Sequence, residues 1–112
     1  MITGSTSGIG RAMAESFAMA GANILVHGRK KETTDAAVRE LAKHQTRVEA
    51  VLADLRQPAD VDRLASAAWG SEGLDVLICN AGADTLTGEG GKLTFDQKLD
   101  ELIAVDLKST VR

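Results

Sequence analysis

Short apolar runs alternate with stretches of helical period along the chain. Met1-Ile2-Thr3 reads as the tail of a strand. Ile9, Ala12, Met13, Phe17 and Ala20 then recur on one face of a helix over about 8–20. Gly21 stands where a left-handed C-terminal cap belongs. Residues 23–27 form a short buried strand, and 33–43 a second helix that buries Ala37, Val38 and Leu41. Residues 47–52 alternate as a third strand around Val48 and Val51. Pro58 precedes a third helix over 59–69, with Val61, Leu64, Ala65 and Ala68 inward, and 74–79 is a fourth strand. A Gly- and Thr-rich loop over 83–93 follows, its bland reading an exposed connector and its alternative a pocket wall carrying Asp84, Thr85 and Thr87. Thr94 and Gln97 have capping-box spacing and start a last helix carrying Leu99, Leu102, Ile103 and Leu107. Strand–helix alternation with continuous apolar strands predicts an α/β fold: a doubly wound parallel sheet covered on both faces, with right-handed crossovers. There is no internal repeat.

Composition narrows the class. The 112 residues suit one domain, residues 1–112. With 44% apolar and 26% charged residues and a net charge of -3, disorder is excluded. The acidic balance argues against a nucleic-acid surface. No apolar stretch has the length of a bilayer span, so no membrane role is expected. Met1-Ile2-Thr3-Gly4 lacks a signal-peptide pattern. Cys79 is the single cysteine, which predicts no internal disulfide, no metal site and a reducing, cytoplasmic location. It reads as a small core residue, and Trp69 as packing. His27, in a strand, and His44, at a helix end, read as structural.

The first strand runs directly into Thr3-Gly4-Ser5-Thr6-Ser7-Gly8-Ile9-Gly10 and then a helix. Gly4 allows a tight bend, Gly8 lets a ligand approach the backbone, and Gly10 lets helix and strand pack closely. Free N–H groups and the dipole at the helix start favour a pyrophosphate. The G-x-x-x-G-x-G spacing is neither the G-x-G-x-x-G fingerprint nor a P-loop. Read alone, it is equally compatible with a tight loop that binds nothing.

The segment resembles the Thr-Gly-x-x-x-Gly-x-Gly motif of the short-chain dehydrogenase/reductases, and further segments match that family in order. Asp54-Leu55 looks like its adenine-contacting pair and Asn80-Ala81-Gly82 like its Asn-Ala-Gly motif. Val105-Asp106-Leu107 lies where the family has Val-Asn-Val/Leu. The resemblance covers essentially the whole chain. It implies a Rossmann-type sheet, incomplete here, with strand order 3-2-1-4, and a cofactor site built from Gly4, Ser5, Thr6, Ser7, Gly8, Ile9, Gly10, Arg29, Asp54, Leu55, Asn80, Ala81 and Gly82. Asp54 can accept an adenine amine and Leu55 can offer an N–H and an apolar wall. Asn80 faces the crevice at a strand's C-terminal end. Taken singly, Asp54 and Asn80 are also ordinary turn residues.

The second strand ends His27-Gly28-Arg29-Lys30-Lys31, without the acid that takes a ribose 2′-OH in NAD sites. Gly28 leaves room for a 2′-phosphate and Arg29 can pair with it, so NADP(H) is expected over NAD(H). A solvated basic turn is the alternative, and Ser7 stands where many NADP-preferring relatives have a second basic residue. By resemblance the protein is an oxidoreductase that transfers hydride to or from a carbonyl or alcohol carbon of a small-molecule substrate, with its proton from a Tyr-x-x-x-Lys motif assisted by a Ser. The chain has no Tyr. The expectation is therefore a cofactor-binding portion, truncated at both ends and inactive alone, from a protein that self-associates as a homo-oligomer. The alternatives are a non-catalytic dinucleotide-binding module or a non-functional truncated product. Asp106, at the family's Asn position, is the one candidate catalytic residue here, or else a surface Asp.

Overall fold

In the computed structural model, which describes residues 1–70 and 73–112, two strands pair in parallel: β1 (Ile24–Gly28) and β2 (Val48–Leu52). Their register runs from Ile24 opposite Val48 to Gly28 opposite Leu52. Helix α1 (Gly8–Met19) precedes β1, and α2 (Lys31–Leu41) forms the crossover to β2. Helix α3 (Pro58–Trp69) follows, then the short α4 (Gly88–Gly91), α5 (Phe95–Leu102), a wide π-turn over Ile103–Lys108, and the terminal α6 (Ser109–Val111). The arrangement is an incomplete α/β sheet with helices.

Local chemistry sets the helix ends. Gly21 has φ 88°, and Ala22 N–H reaches the Phe17 carbonyl while Gly21 N–H reaches Ala18, a left-handed cap that closes α1. Pro58 occupies the first turn of α3, where its missing N–H has no cost. Thr94 and Gln97 form the reciprocal capping box that starts α5.

Two expected strands are reduced to single bridges. Ile2 bridges Val26 on one side and Ile78 on the other, both in parallel sense. Beyond them a side chain replaces the ladder: Thr3 Oγ1 accepts the N–H groups of Asn80 (2.9 Å) and Ala81 (3.0 Å). Gly4, at φ 66°, has by then turned the chain out of the extended region. Segment 74–79 therefore lies beside Met1–Thr3 with its outer edge open, leaving Val76 and Leu77 about half exposed.

Two hydrophobic clusters occupy opposite faces of the sheet. Ile2, Ile24 and Val26 pack with Ala14, Ala18, Ala37 and Leu41 from α1 and α2. Ala53 and Leu55, just beyond β2, pack with Val61 and Leu64 of α3 and with Val105 of the π-turn. Strand alternation explains the division, because Val26 pairs with Ala50 and His27 with Val51.

Several packing expectations are corrected. The buried line of α1 is Gly10, Ala14 and Ala18, not the bulky face, and Ile9 is 75% exposed. Small residues at i, i+4 spacing let the helix axis approach the sheet, which a stripe of large side chains would prevent. Ala65 is exposed, whereas Val61, Leu64 and Ala68 of α3 are buried. Trp69 closes α3 at its rim and is 64% exposed. Cys79 is exposed rather than in the core, since it alternates with the inward Ile78 on an open edge. Leu99, Leu102 and Leu107 are also solvent-facing, and of the last helical stretch only Val105 is buried.

Candidate functional site

The glycine turn is fastened before any ligand is considered. Thr3 N–H donates to the Ile78 carbonyl (2.9 Å), and Asn80 Nδ2 donates to the Thr3 carbonyl (3.0 Å). Gly10 lies directly under this knot: a Cβ there would stand 2.4 Å from both Asn80 Nδ2 and the Gly4 carbonyl oxygen. The helix start is thus pressed against the exits of two extended segments. Gly8 is different, with φ 54° and open space where a Cβ would be. Ser7 precedes α1 without a side-chain cap, so the first N–H groups of the helix are left to the open side. Two amides of the turn are engaged within the protein: Gly4 N–H donates to His27 Nδ1 (3.0 Å) and Ser5 N–H to the His27 carbonyl (3.1 Å). Ser5 is fully buried beneath the turn, and its hydroxyl accepts His27 N–H at 3.1 Å.

A cleft of about 660 Å³ opens above this floor at the C-terminal ends of the strands. Of the residues singled out from the sequence, it brings together Gly4, Thr6, Ser7, Ile9, Gly10, Arg29, Asp54, Leu55 and Asn80-Ala81-Gly82. Ser5 and Gly8 do not line it. Ligand crevices of open α/β sheets occur at this end. A second cavity of about 440 Å³ lies at the opposite strand ends, among Ile2, Ile24 and Val76, and gathers none of the candidate residues.

One flank of the cleft is basic. Gly28 ends β1 with no space for a side chain: a Cβ would lie 2.4 Å from Thr34 Oγ1 and 2.5 Å from Thr6 Cγ2. Thr34 is 1% exposed and its hydroxyl is bonded to the Lys30 carbonyl at 2.8 Å. Arg29 and Lys30 are exposed, and neither makes an ion pair among the described residues, whereas Lys31 pairs with Asp35 at 2.7 Å.

The neighbouring wall is a charge relay that the sequence did not disclose. Arg56 Nε donates to both Asp54 oxygens (2.9 and 3.0 Å) and its Nη1 reaches Glu101 on α5 at 3.4 Å. These hydrogen bonds hold the Asp54 carboxyl below its ordinary value, with the charges of Arg56 and Arg29 adding to the effect. Asp54 N–H in turn donates to Asp60 Oδ2 (2.8 Å). Only the position of Arg56, two residues after Asp54, could have signalled the pairing.

The far wall is the 83–93 segment. Asp84 Oδ1 accepts the N–H groups of Leu86 and Thr87, each at 2.9 Å, and Oδ2 bonds the Thr87 hydroxyl. Gly90 sits so close to the Asp84 carbonyl that no side chain fits. The segment expected as a plain loop is therefore folded on itself, includes α4, and lends Asp84, Glu89, Gly90 and Leu93 to the cleft. Asp106 lies in the π-turn, and its Oδ1 accepts Ala83 N–H at 2.9 Å. Its visible work is to hold the chain just past Gly82. Among the described residues no cluster of His, Cys, Asp and Glu suits a metal ion, and no helix is long and apolar enough to cross a membrane.

The family model for short chain dehydrogenase matches residues 1–112. The 1-deoxy-11-beta-hydroxypentalenate dehydrogenase of Streptomyces avermitilis is 41% identical over 106 residues, covering 94% of this chain and 38% of that protein. An uncharacterized oxidoreductase of Bacillus subtilis, YvrD, is 40% identical over 112 residues, all of this chain and 41% of its own. Among solved structures, L-sorbose reductase from Gluconobacter frateurii, complexed with NADPH and L-sorbose, superposes with a TM-score of 0.85 at 34% identity. That match covers 98% of this chain and 42% of the reductase. The chain thus spans about two fifths of the length of the relatives it matches. A family match over the full sequence, with the glycine turn, Asp54-Leu55 and Asn80-Ala81-Gly82 converging on one cleft, places this chain in the short-chain dehydrogenase family.

Proposed function

We propose that the cleft binds NADP(H), and that the chain is the cofactor-binding portion of an oxidoreductase acting on a small carbonyl or alcohol substrate. The observation that carries this reading is the pairing, on one cleft, of an uncapped helix start with a β1 exit that carries Arg29 and no acid of its own. Thr6, Ser7, Ile9 and Gly10 would hold the diphosphate against the helix N-terminus. Arg29 would take the 2′-phosphate, and the absence of room at Gly28 keeps an acid from that spot. Leu55 would wall the adenine and Asp54 would accept its amine with the lone pairs that Arg56 leaves free. Ala81 and Gly82 would border the nicotinamide end, where Asp106 fixes the backbone at Ala83. Bound there, a nicotinamide cofactor would supply the hydride donor or acceptor for a carbonyl or alcohol carbon.

The relative named as complexed with NADPH supports the phosphorylated cofactor. The chain holds no tyrosine, so the tyrosine that the family resemblance implies as proton donor would come from outside these residues. We read the order across the sheet as β2, β1, the 1–3 segment and then the 74–79 segment, supported by Ile2 bridging Val26 of β1 and Ile78 at once. Calorimetric titration tests the cofactor. NADPH is expected to bind more tightly than NADH, and Arg29→Ala to weaken NADPH by about 10-fold or more with NADH unchanged. That is the scale of a charge-assisted phosphate contact worth roughly 1.5–3 kcal/mol. Tighter binding of NADH by the unaltered chain would overturn the reading.

A further inference from the structure

We propose that His27 is a positioning residue for the dinucleotide, its neutral imidazole clamping the glycine turn to the exit of β2. This rests on the cleft's reading as a dinucleotide site. His27 is 2% exposed and sits on β1, between the two chain segments it joins. Gly4 N–H donates to its Nδ1 at 3.0 Å, so that nitrogen carries a lone pair. Nε2 lies 3.1 Å from the Ala53 carbonyl oxygen, an acceptor only, so Nε2 carries the proton. The main chain of His27 repeats the grip, exchanging hydrogen bonds with Ser5 through Ser5 Oγ and Ser5 N–H, each at 3.1 Å.

The consequence is geometric. Gly4 begins the turn whose later amides face the cleft, and Ala53 immediately precedes Asp54. One ring therefore sets the distance between the proposed diphosphate and adenine subsites.

Protonation would reverse the clamp, since a second ring N–H at Nδ1 would face Gly4 N–H, donor against donor. Burial pushes the imidazole below its ordinary value, opposed by the Ala53 carbonyl. The charged groups acting on it are Arg29, at the exit of its own strand, and Asp54, beyond β2 and paired with Arg56. The unfolded chain takes up this proton near the ordinary imidazole value, and the folded chain only at lower pH. Between the two, falling pH favours the unfolded state, and stability at this site is lost toward acid.

The test uses the 112-residue chain, with NADPH as the probe. Asparagine in place of His27 keeps an acceptor near Nδ1, and phenylalanine keeps the volume but no polar atom. We expect H27N to bind NADPH within about 5-fold of the unaltered chain, and H27F to lose roughly 10- to 100-fold, as a buried donor left unpaired implies. The unaltered chain should also lose affinity toward acid, below the ordinary imidazole range, more steeply than H27N. The cofactor's own phosphate titrates equally in both, so the difference belongs to the ring. Ring nitrogen NMR of the unaltered chain should show Nε2 protonated and Nδ1 bare at pH 7. Equal affinities of H27N and H27F, parallel pH profiles, or a proton on Nδ1 would overturn the clamp while leaving the cofactor reading intact. Failure of the unaltered chain to bind NADPH at any pH would overturn the cofactor reading, and the clamp's role with it. Should H27F not fold, the pH contrast with H27N decides alone.

Discussion

Gly28→Asp, the substitution that on electrostatic grounds should turn an NADP site into an NAD site, is expected to destroy NADPH binding here without creating affinity for NADH. The new Cβ would stand 2.4 Å from Thr34 Oγ1 and 2.5 Å from Thr6 Cγ2. Neither can easily withdraw: both are β-branched, and Thr34 is buried with its hydroxyl bonded to the Lys30 carbonyl. Overpacking of this kind costs about 1–3 kcal/mol, so the melting midpoint should fall by roughly 5–15 °C. The carboxylate would also repel the 2′-phosphate. Adding Thr34→Ala and Thr6→Ser removes both obstructing atoms, and only that triple variant should gain NADH affinity in calorimetry. A single Gly28→Asp variant that binds NADH better than the parent, with an unchanged melting curve, would show that the two threonines do not close the position.

Gly10→Ala should be the most damaging small substitution in the turn. Its methyl would meet the Gly4 carbonyl oxygen and Asn80 Nδ2, both at 2.4 Å. The first is backbone and cannot rotate away; the second is bonded to the Thr3 carbonyl at 3.0 Å. Helix α1 would have to lift from the sheet, opening the packing of Ala14 and Ala18 and displacing the phosphate-facing amides together. A loss of about 3 kcal/mol and at least 10-fold in NADPH affinity is expected, at the upper end of overpacking costs. Gly8→Ala is the matched control. Its methyl meets nothing, and only the left-handed φ of 54° opposes it, a cost of about 1–2 kcal/mol. Denaturant melts of the two variants should rank Gly10→Ala clearly below Gly8→Ala. The reverse order would mean that backbone conformation, not close approach, governs the turn.

These positions show what could be read from the chain and what could not. Spacing alone located the glycine turn and the α5 capping box, because each depends on neighbours a few residues away, whereas Asp54-Leu55 and Asn80-Ala81-Gly82 were legible only through their resemblance to the family's motifs. The clamp of His27 was invisible, since its partners come from residues 4 and 53 and are backbone groups that any sequence carries. The buried face of α1 differs from the expected one because hydropathy weighs side-chain bulk, whereas the sheet fully buries the small Gly10, Ala14 and Ala18 and takes only Met13 of the bulky residues, partly buried, against the same core. Segment 74–79 has the composition of a strand, but Thr3 Oγ1 takes the N–H groups that would extend its ladder. The knot of Asp84 with Gly90 was hidden for another reason: a glycine-rich loop looks the same whether it is slack or tied.

The two hydrophobic clusters differ in how much chain must be made before each can close. The buried members of one all fall between Ile2 and Leu41, whereas the other joins Ala53 to Val105. Closing a longer loop costs more entropy and comes later. During synthesis the β1–α2 half can therefore gather while the ribosome is still adding the second half. In the folded chain, amide hydrogen exchange should be slowest in β1 and the inner turns of α1 and α2, where the buried cluster lies, and fastest from α5 onward, where only Val105 is buried.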